Sequence, residues 1–248
     1  MVSIEICSYS LEDCLTAQRC GAHRVELCGG LLEGGTTPSA GLIAAVRAAI
    51  NIELFVMIRP RGGDFLYSPS EIAVMERDIE IAKTLGADGV VLGLLHPDGR
   101  IDVAQTRRLV QLAQPMGVTF HRAFDMANDP LLALEEVIET GCIRILTSGQ
   151  QNRALDGKDL LATLVQAAQE RIEIMAGSGV SAQNASALLQ TGVQALHLTG
   201  KSTRDSLMQF RNPALSMGGT VAPSEYELSY ADEQKVAAVV ALVQGISR

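Results

Sequence analysis

The sequence predicts a single (β/α)8 TIM barrel, and three observations carry that prediction. A β-rich run followed by a helical pattern recurs eight times in 248 residues, which is the size and rhythm of such a barrel. The helical stretches end in glycine and a short β-rich run follows within two or three residues, as in Gly21-Ala-His-Arg-Val-Glu-Leu27, Gly86-Ala-Asp-Gly-Val-Val-Leu-Gly93 and Gly192-Val-Gln-Ala-Leu-His-Leu198. Glycine suits these helix ends because the backbone there turns to positive φ, where a Cβ costs energy. No G-x-G-x-x-G follows the first strand, which disfavours the rival doubly wound sheet.

The strands are expected near 3–7, 23–28, 53–59, 89–93, 117–121, 143–148, 172–176 and 195–199. Helix starts lie between them. Ser68-Pro-Ser-Glu71 is a capping box with proline at the first helical position. Ser10-Leu-Glu-Asp13 resembles one. Asp129-Pro130 opens another helix, and Ser181 is expected to cap the helix after strand seven. Leu109, Val110, Leu112 and Ala113 cluster with helical spacing, as do Leu160, Leu161, Leu164 and Val165. No domain boundary interrupts residues 1–248. From Lys201 to about Ser229 the periodicity fails, with Pro213, Gly218-Gly219 and Pro223 breaking it, so an irregular insertion is expected after strand eight. A last helix near 231–245 would close the barrel.

Composition narrows the classes of function. A formal net charge of −8 argues against binding nucleic acid or an anionic membrane, though a local basic pocket remains compatible with a small anion. No apolar run reaches the length of a membrane span. The first residues already read as a strand rather than a signal peptide. The five cysteines form no C-x-x-C pair, so a cytoplasmic protein with reduced thiols is expected.

Alternation along each strand sorts its side chains between the barrel interior and the helix layer. Ile4 and Ile6 face the helices, so Glu5 and Cys7 point inward. By the same parity Arg24, Glu26 and Cys28, then Met57 and Arg59, then Thr119 and His121, then Glu173 and Met175 are interior. Residues near strand C-termini meet at the end where barrel enzymes keep their chemistry. Glu26, Cys28, Arg59, Arg61, Asp64, His121, Arg122 and Asp125 gather there, while Arg24 and Glu173 lie lower and can pair. A structural salt-bridge network is the alternative use of these charges, because a buried charge persists only when paired.

Two chemistries fit this set. Cys7 and Cys28, inward on adjacent strands, form a candidate Cu(I) site, since Cu(I) prefers thiolate ligands. Alternatively His121 acts as general acid or base with Glu26 or Asp125 beside it. Arg59, Arg61 and Arg122 would then clamp an anion, helped by the turn at Gly177 and Gly179 and by Lys201. The substrate would be a small phosphorylated or carboxylated metabolite, and the loop from Arg59 to Tyr67 would be a flexible lid.

Several motifs resemble the CutC family of copper homeostasis proteins. They are Glu5-Ile-Cys-Ser-Tyr-Ser10, Arg24-Val-Glu-Leu-Cys28, Gly34-Gly-Thr-Thr-Pro-Ser39, Ile58-Arg-Pro-Arg-Gly-Gly-Asp-Phe65, Thr119-Phe-His-Arg-Ala-Phe-Asp125, Leu146-Thr-Ser-Gly-Gln150 and Met175-Ala-Gly-Ser-Gly-Val180. The resemblance runs from the first strand to about Asn212. It implies a TIM barrel, a cytoplasmic location, homo-oligomers with dimers favoured, and copper handling as Cu(I). The family's cysteines in the first two strands match Cys7 and Cys28. Copper handling, an anion-utilising enzyme and an interaction scaffold working through the 201–229 segment stay open as classes.

Overall fold

A computed structural model describes residues 2–215 and 224–246. Eight parallel strands close into a barrel in sequence order: β1 (Ser3–Ser8), β2 (Arg24–Leu27), β3 (Glu53–Met57), β4 (Gly89–Leu92), β5 (Gly117–Phe120), β6 (Arg144–Thr147), β7 (Glu173–Gly177) and β8 (Ala195–Leu198). The eight helices are α1 (Leu11–Arg19), α2 (Ala40–Ala49), α3 (Pro69–Thr84), α4 (Val103–Ala113), α5 (Pro130–Thr140), α6 (Lys158–Ala168), α7 (Ala185–Leu189) and α8 (Glu233–Ile246). Closure comes from β1 pairing with both β2 and β8, which sets Glu5 opposite Arg24 on one side and His197 on the other.

The expected alternation holds. Ile4, Ile6, Val25, Leu27, Leu54, Val56 and Ile58 join the helices in one continuous apolar layer outside the barrel. Each such side chain contributes about 1.5–3 kcal/mol when fully buried. The inward side chains form two smaller apolar groups. One is Cys7, Cys28, Phe55, Met57 and Val91, and the other is Leu146, Met175 and Ala195.

The lower interior is ionic. Arg24 pairs with Glu5 and reaches Glu53 at 3.0 Å and Glu173 at 3.9 Å. Arg144 donates to Glu173 Oε2 at 3.0 Å and to the Thr119 hydroxyl at 3.0 Å. Both guanidinium groups also stack on the Phe55 ring, each 5.1 Å from its centroid. Charges buried this deeply persist because each has opposite charge and hydrogen bonds around it.

Local signals explain most helix starts. Ser68 and Glu71 make the reciprocal capping box, with Pro69 in the first turn. Ser10 caps α1 by accepting from the Asp13 N–H, and Asp129 caps α5 ahead of Pro130. Ser181 does not cap α7. That helix begins later, after Asn184, whose side-chain oxygen accepts from the Ser181 N–H and whose amide donates to the Gly179 carbonyl. The asparagine takes the turn that the serine was expected to control.

The insertion after strand eight is also more regular at its ends than expected. Lys201–Asp205 (β9) and Glu227–Ala231 (β10) pair as an antiparallel ribbon. Its strands are largely exposed and carry little apolar alternation, so backbone pairing left no pattern in the sequence. Gly218-Gly219 and Pro223, which argued for irregularity, lie outside the described residues.

Candidate functional site

A cavity of about 240 Å³ opens at the C-terminal end of the barrel. Cys7, Tyr9, Glu26, Met57, Arg59, Phe65, His121, Arg122 and His197 are among its lining residues. Cys7, Glu26 and His197 are delivered by β1, β2 and β8, adjacent in the closed sheet.

On one side sits a sulfur, carboxylate and imidazole cluster. The Cys7 and Cys28 sulfurs are 3.9 Å apart and both residues are buried. That separation is far beyond a disulfide bond, so both are free thiols. Cys28 Sγ lies 3.5 Å from Glu26 Oε2. His197 Nδ1 is 2.7 Å from Glu5 Oε1, and its Nε2 is 3.8 Å from Glu26 Oε2. One ligand atom each from Cys7, Glu26 and His197 can lie within 4.8 Å of the others, the one group of this kind among the described residues.

The protonation preferences in this cluster fit one arrangement. The Cys28 hydrogen bond outweighs burial and, with His197, holds the Cys7 thiol well below its ordinary value. Burial alone would lower His197, but Glu26, Cys7 and Glu5 hold it well above its ordinary value. Burial, and then Cys7, push Glu26 well up. Glu5 stays ionised with a pKa of about 2, because His197 and Arg24 overcome its burial. These directions favour charge on Cys7 and His197 and a proton on Glu26, and Glu5 orients the His197 ring through Nδ1. By contrast, burial drives the Cys14 and Cys142 thiols up to about 12, as expected of inert core cysteines.

His121 and Arg59 line the same cavity. His121 Nδ1 accepts from the Ala123 N–H at 3.2 Å, at the start of the 3-10 turn Arg122–Met126. Burial, reinforced by the Arg59 charge, lowers the His121 pKa to about 3. The ring is thus neutral near pH 7, and an accepting Nδ1 leaves its proton on Nε2. A base with so low a pKa is poorly matched to general base work at neutral pH. A neutral imidazole can still donate a hydrogen bond.

Arg59 donates to the carbonyls of Glu33, Gly35 and Gly63 at 2.8–2.9 Å and packs 5.0 Å from the Phe65 centroid. Arg61 is spent on Glu71, Asp64 and the carbonyls of Gly62 and Leu66, and does not line the cavity. The segment 59–67, expected to be a flexible lid, is therefore tied down by its own two arginines.

The remaining candidates scatter. Asp125 receives hydrogen bonds from Thr147, Ser148, Gln150 and Arg122, so its carboxylate fixes the loop after β6. Arg122 lines the cavity while paired with Asp125 at 2.7 Å. Gly177 is needed for packing, since a Cβ there would come 2.5 Å from Leu146 and 3.3 Å from His197. Gly179, at φ +70°, lines the cavity next to Ser178. Lys201 is exposed on β9 and lines two other pockets. His197 was missed as a functional residue. Its signal was available, because Leu196 and Leu198 facing outward leave it inward, level with Glu5.

The fold and this mouth define a class: a TIM barrel whose first, second and eighth strands place a thiol pair, a carboxylate and a carboxylate-oriented histidine at the C-terminal end of the barrel. The sequence matches the CutC family over residues 2–202. It is 47% identical over 244 residues to the mouse protein named copper homeostasis protein cutC homolog, covering 98% of this chain and 90% of that one. It is 50% identical over 234 residues to a family protein CutC of Bacteroides thetaiotaomicron, covering 94% of each. The crystal structure of CutC from Streptococcus agalactiae superposes with a TM-score of 0.77 at 37% identity, covering 80% of this chain and 99% of that one. The chain belongs to the CutC family. Thiamine phosphate pyrophosphorylase from Pyrococcus furiosus, at 14% identity and a TM-score of 0.60, shares the fold alone.

Proposed function

We propose that this protein serves copper homeostasis by holding one Cu(I) ion at the Cys7 and Cys28 sulfurs, with His197 Nε2 as a further ligand. The observation that supports this reading is the 3.9 Å approach of two buried free thiols at the barrel mouth. The donor set suits a soft ion of low coordination number, since thiolate and imidazole favour copper over magnesium or calcium. Glu5 on His197 Nδ1 is the carboxylate–histidine partnership that commonly orients a metal ligand. Reduced thiols are required, which agrees with a cytoplasmic setting. A homo-oligomer, with a dimer favoured, is the expected assembly, and sedimentation equilibrium tests it.

The test is an anaerobic Cu(I) titration against a chromophoric chelator. The account predicts one tightly held ion per chain, lost in Cys7→Ser and in Cys28→Ser. Unchanged stoichiometry and affinity in the double variant overturns the thiolate site. An alternative enzyme reading, with His121, Glu26 and Asp125 as acid–base groups, draws less support, because His121 is held neutral and Asp125 is occupied by its loop.

A further inference from the structure

We infer that Cys7, His197 and Glu5 form a nucleophile, a proton carrier and an orienting carboxylate, and that this unit gives the protein hydrolytic activity on short acyl esters. The inference does not depend on copper and stands on three observations. First, the three residues are brought together with the geometry of such a unit. Glu5 Oε1 lies 2.7 Å from His197 Nδ1, and Arg24 holds Glu5 from below. The ring orientation is thereby set, and Nε2 is the nitrogen left to move a proton. The Cys7 sulfur and a His197 ring nitrogen lie within 4.8 Å of each other, a separation that substrate binding commonly shortens. Register explains the grouping. Glu5 sits opposite His197 across β1 and β8, and Cys7 lies two residues along β1 on the same face. Second, the thiol and the imidazole both line the cavity at the barrel mouth. Cys7 keeps 7% of its surface and His197 9%, whereas Cys28 has none. Third, two pockets meet at Cys7. A smaller one of about 110 Å³, running past Ser229 and Tyr230, is also lined by it. The acyl chain would lie against Met57, Leu146 and Leu198 in the larger space, which leaves the smaller one for the departing alcohol.

A thiol, a base within reach of it and a third group orienting that base are the parts of covalent acyl transfer. The reaction balances with water as the only co-reactant. His197 Nε2 takes the Cys7 proton as Sγ attacks the ester carbonyl carbon and an S–C bond forms. The C–O bond breaks, its electron pair leaves with the alcohol oxygen, and His197 delivers the proton there. Water then attacks the thioester carbon and gives a proton to His197. The C–S bond breaks, the carboxylic acid leaves, and His197 returns the proton to Cys7. Tyr9 lines the same cavity, and its hydroxyl is a donor available to the carbonyl oxygen.

The experiment uses the full-length, copper-free protein and p-nitrophenyl acetate. Stopped-flow absorbance should show a burst of one p-nitrophenolate per chain followed by steady turnover, and acid quench with peptide mapping should place the acetyl group on Cys7. Cys7→Ser should lose the burst, and His197→Gln should lower turnover about a hundredfold or more. Glu5→Gln changes a positioning residue. It should keep the burst and slow the turnover after it about tenfold or more, where a merely structural defect would shrink the burst. Cys20→Ser, away from the cavity, should behave as the wild type does. With no copper present, the result is separate from the copper reading: failure of Cu(I) binding leaves the burst in place, and absence of the burst leaves Cu(I) binding in place. The inference is overturned if no acetyl group is found on Cys7, if acetyl-Cys7 forms but is not hydrolysed, or if His197→Gln turns over at the wild-type rate. Should the variants fail to fold, acetyl mapping and turnover of the wild type decide.

Discussion

The lower interior of the barrel and its mouth are built from the same residue types and put them to opposite uses. Below, Arg24, Arg144, Glu5 and Glu173 interlock, and most of their donors and acceptors are met. Above, Cys7 and Cys28 pack against Phe55, Met57 and Val91 as well as each other, and Glu26, Arg59 and His121 each keep a buried polar atom without a partner, as Arg144 does below. The two halves share strands and alternation, so parity alone does not separate them. What separates them is the partners: the charges below are matched by opposite charges, whereas the mouth sets a thiol pair and a histidine beside an open cavity.

The largest break in that contrast is expected from Arg24→Ala. It removes the cation from Glu5 and leaves buried carboxylates uncompensated, which should cost about 3–5 kcal/mol in chemical denaturation. A loss below about 1 kcal/mol would mean that the network is not what holds the lower barrel. Next comes pH. His121 has a folded pKa of about 3, below its unfolded value of 6.5. The unfolded chain therefore binds the extra proton first as pH falls. His121 costs no stability above about pH 6.5, and the loss accumulates from there down to about pH 3, reaching on the order of a few kcal/mol. Glu5, with a folded pKa of about 2, acts lower: its contribution is complete above the unfolded value of 4.5 and lost as pH falls towards 2. Denaturation midpoints across pH 7 to 4 should thus fall in the wild type and fall less in His121→Gln. Parallel curves would show that His121 is not buried neutral.

Parity makes the interior set legible in the sequence: Glu5, Cys7, Arg24, Glu26, Cys28, Arg59 and His121 all lie where alternation puts them. The division of labour among them was not readable. Arg59 and Arg61 looked like an anion clamp, but the carbonyls that occupy them come from loop backbone, which has no residue-type signature. Asp125 looked free for catalysis because the Thr147, Ser148 and Gln150 donors that fill it arrive from the following strand and loop. His197 went unnoticed because its importance depends on β8 closing against β1, a contact between the two ends of the barrel. Its pairing with Glu5 also joins the two halves of the interior, one carboxylate serving both Arg24 below and His197 above.

That shared carboxylate sharpens the comparison at smaller cost. Glu5→Gln keeps the shape but weakens the hold on His197, and the proposed Cu(I) affinity should fall about 10–100-fold, as for other partners of metal-binding histidines. Copper affinity unchanged in this variant, with the fold intact by circular dichroism, would take His197 out of the site. The smallest effect belongs to Cys28→Ala, which touches no ion pair and should shift stability by only about 1 kcal/mol while removing copper binding.

The central claim, that the mouth is built to hold Cu(I) on sulfur, is tested most directly by X-ray absorption at the copper edge on the protein loaded anaerobically with one Cu(I) per chain. The account predicts two sulfur scatterers with a nitrogen from His197, and loss of both sulfurs in Cys7→Ser/Cys28→Ser. A first shell of oxygen and nitrogen alone would contradict it.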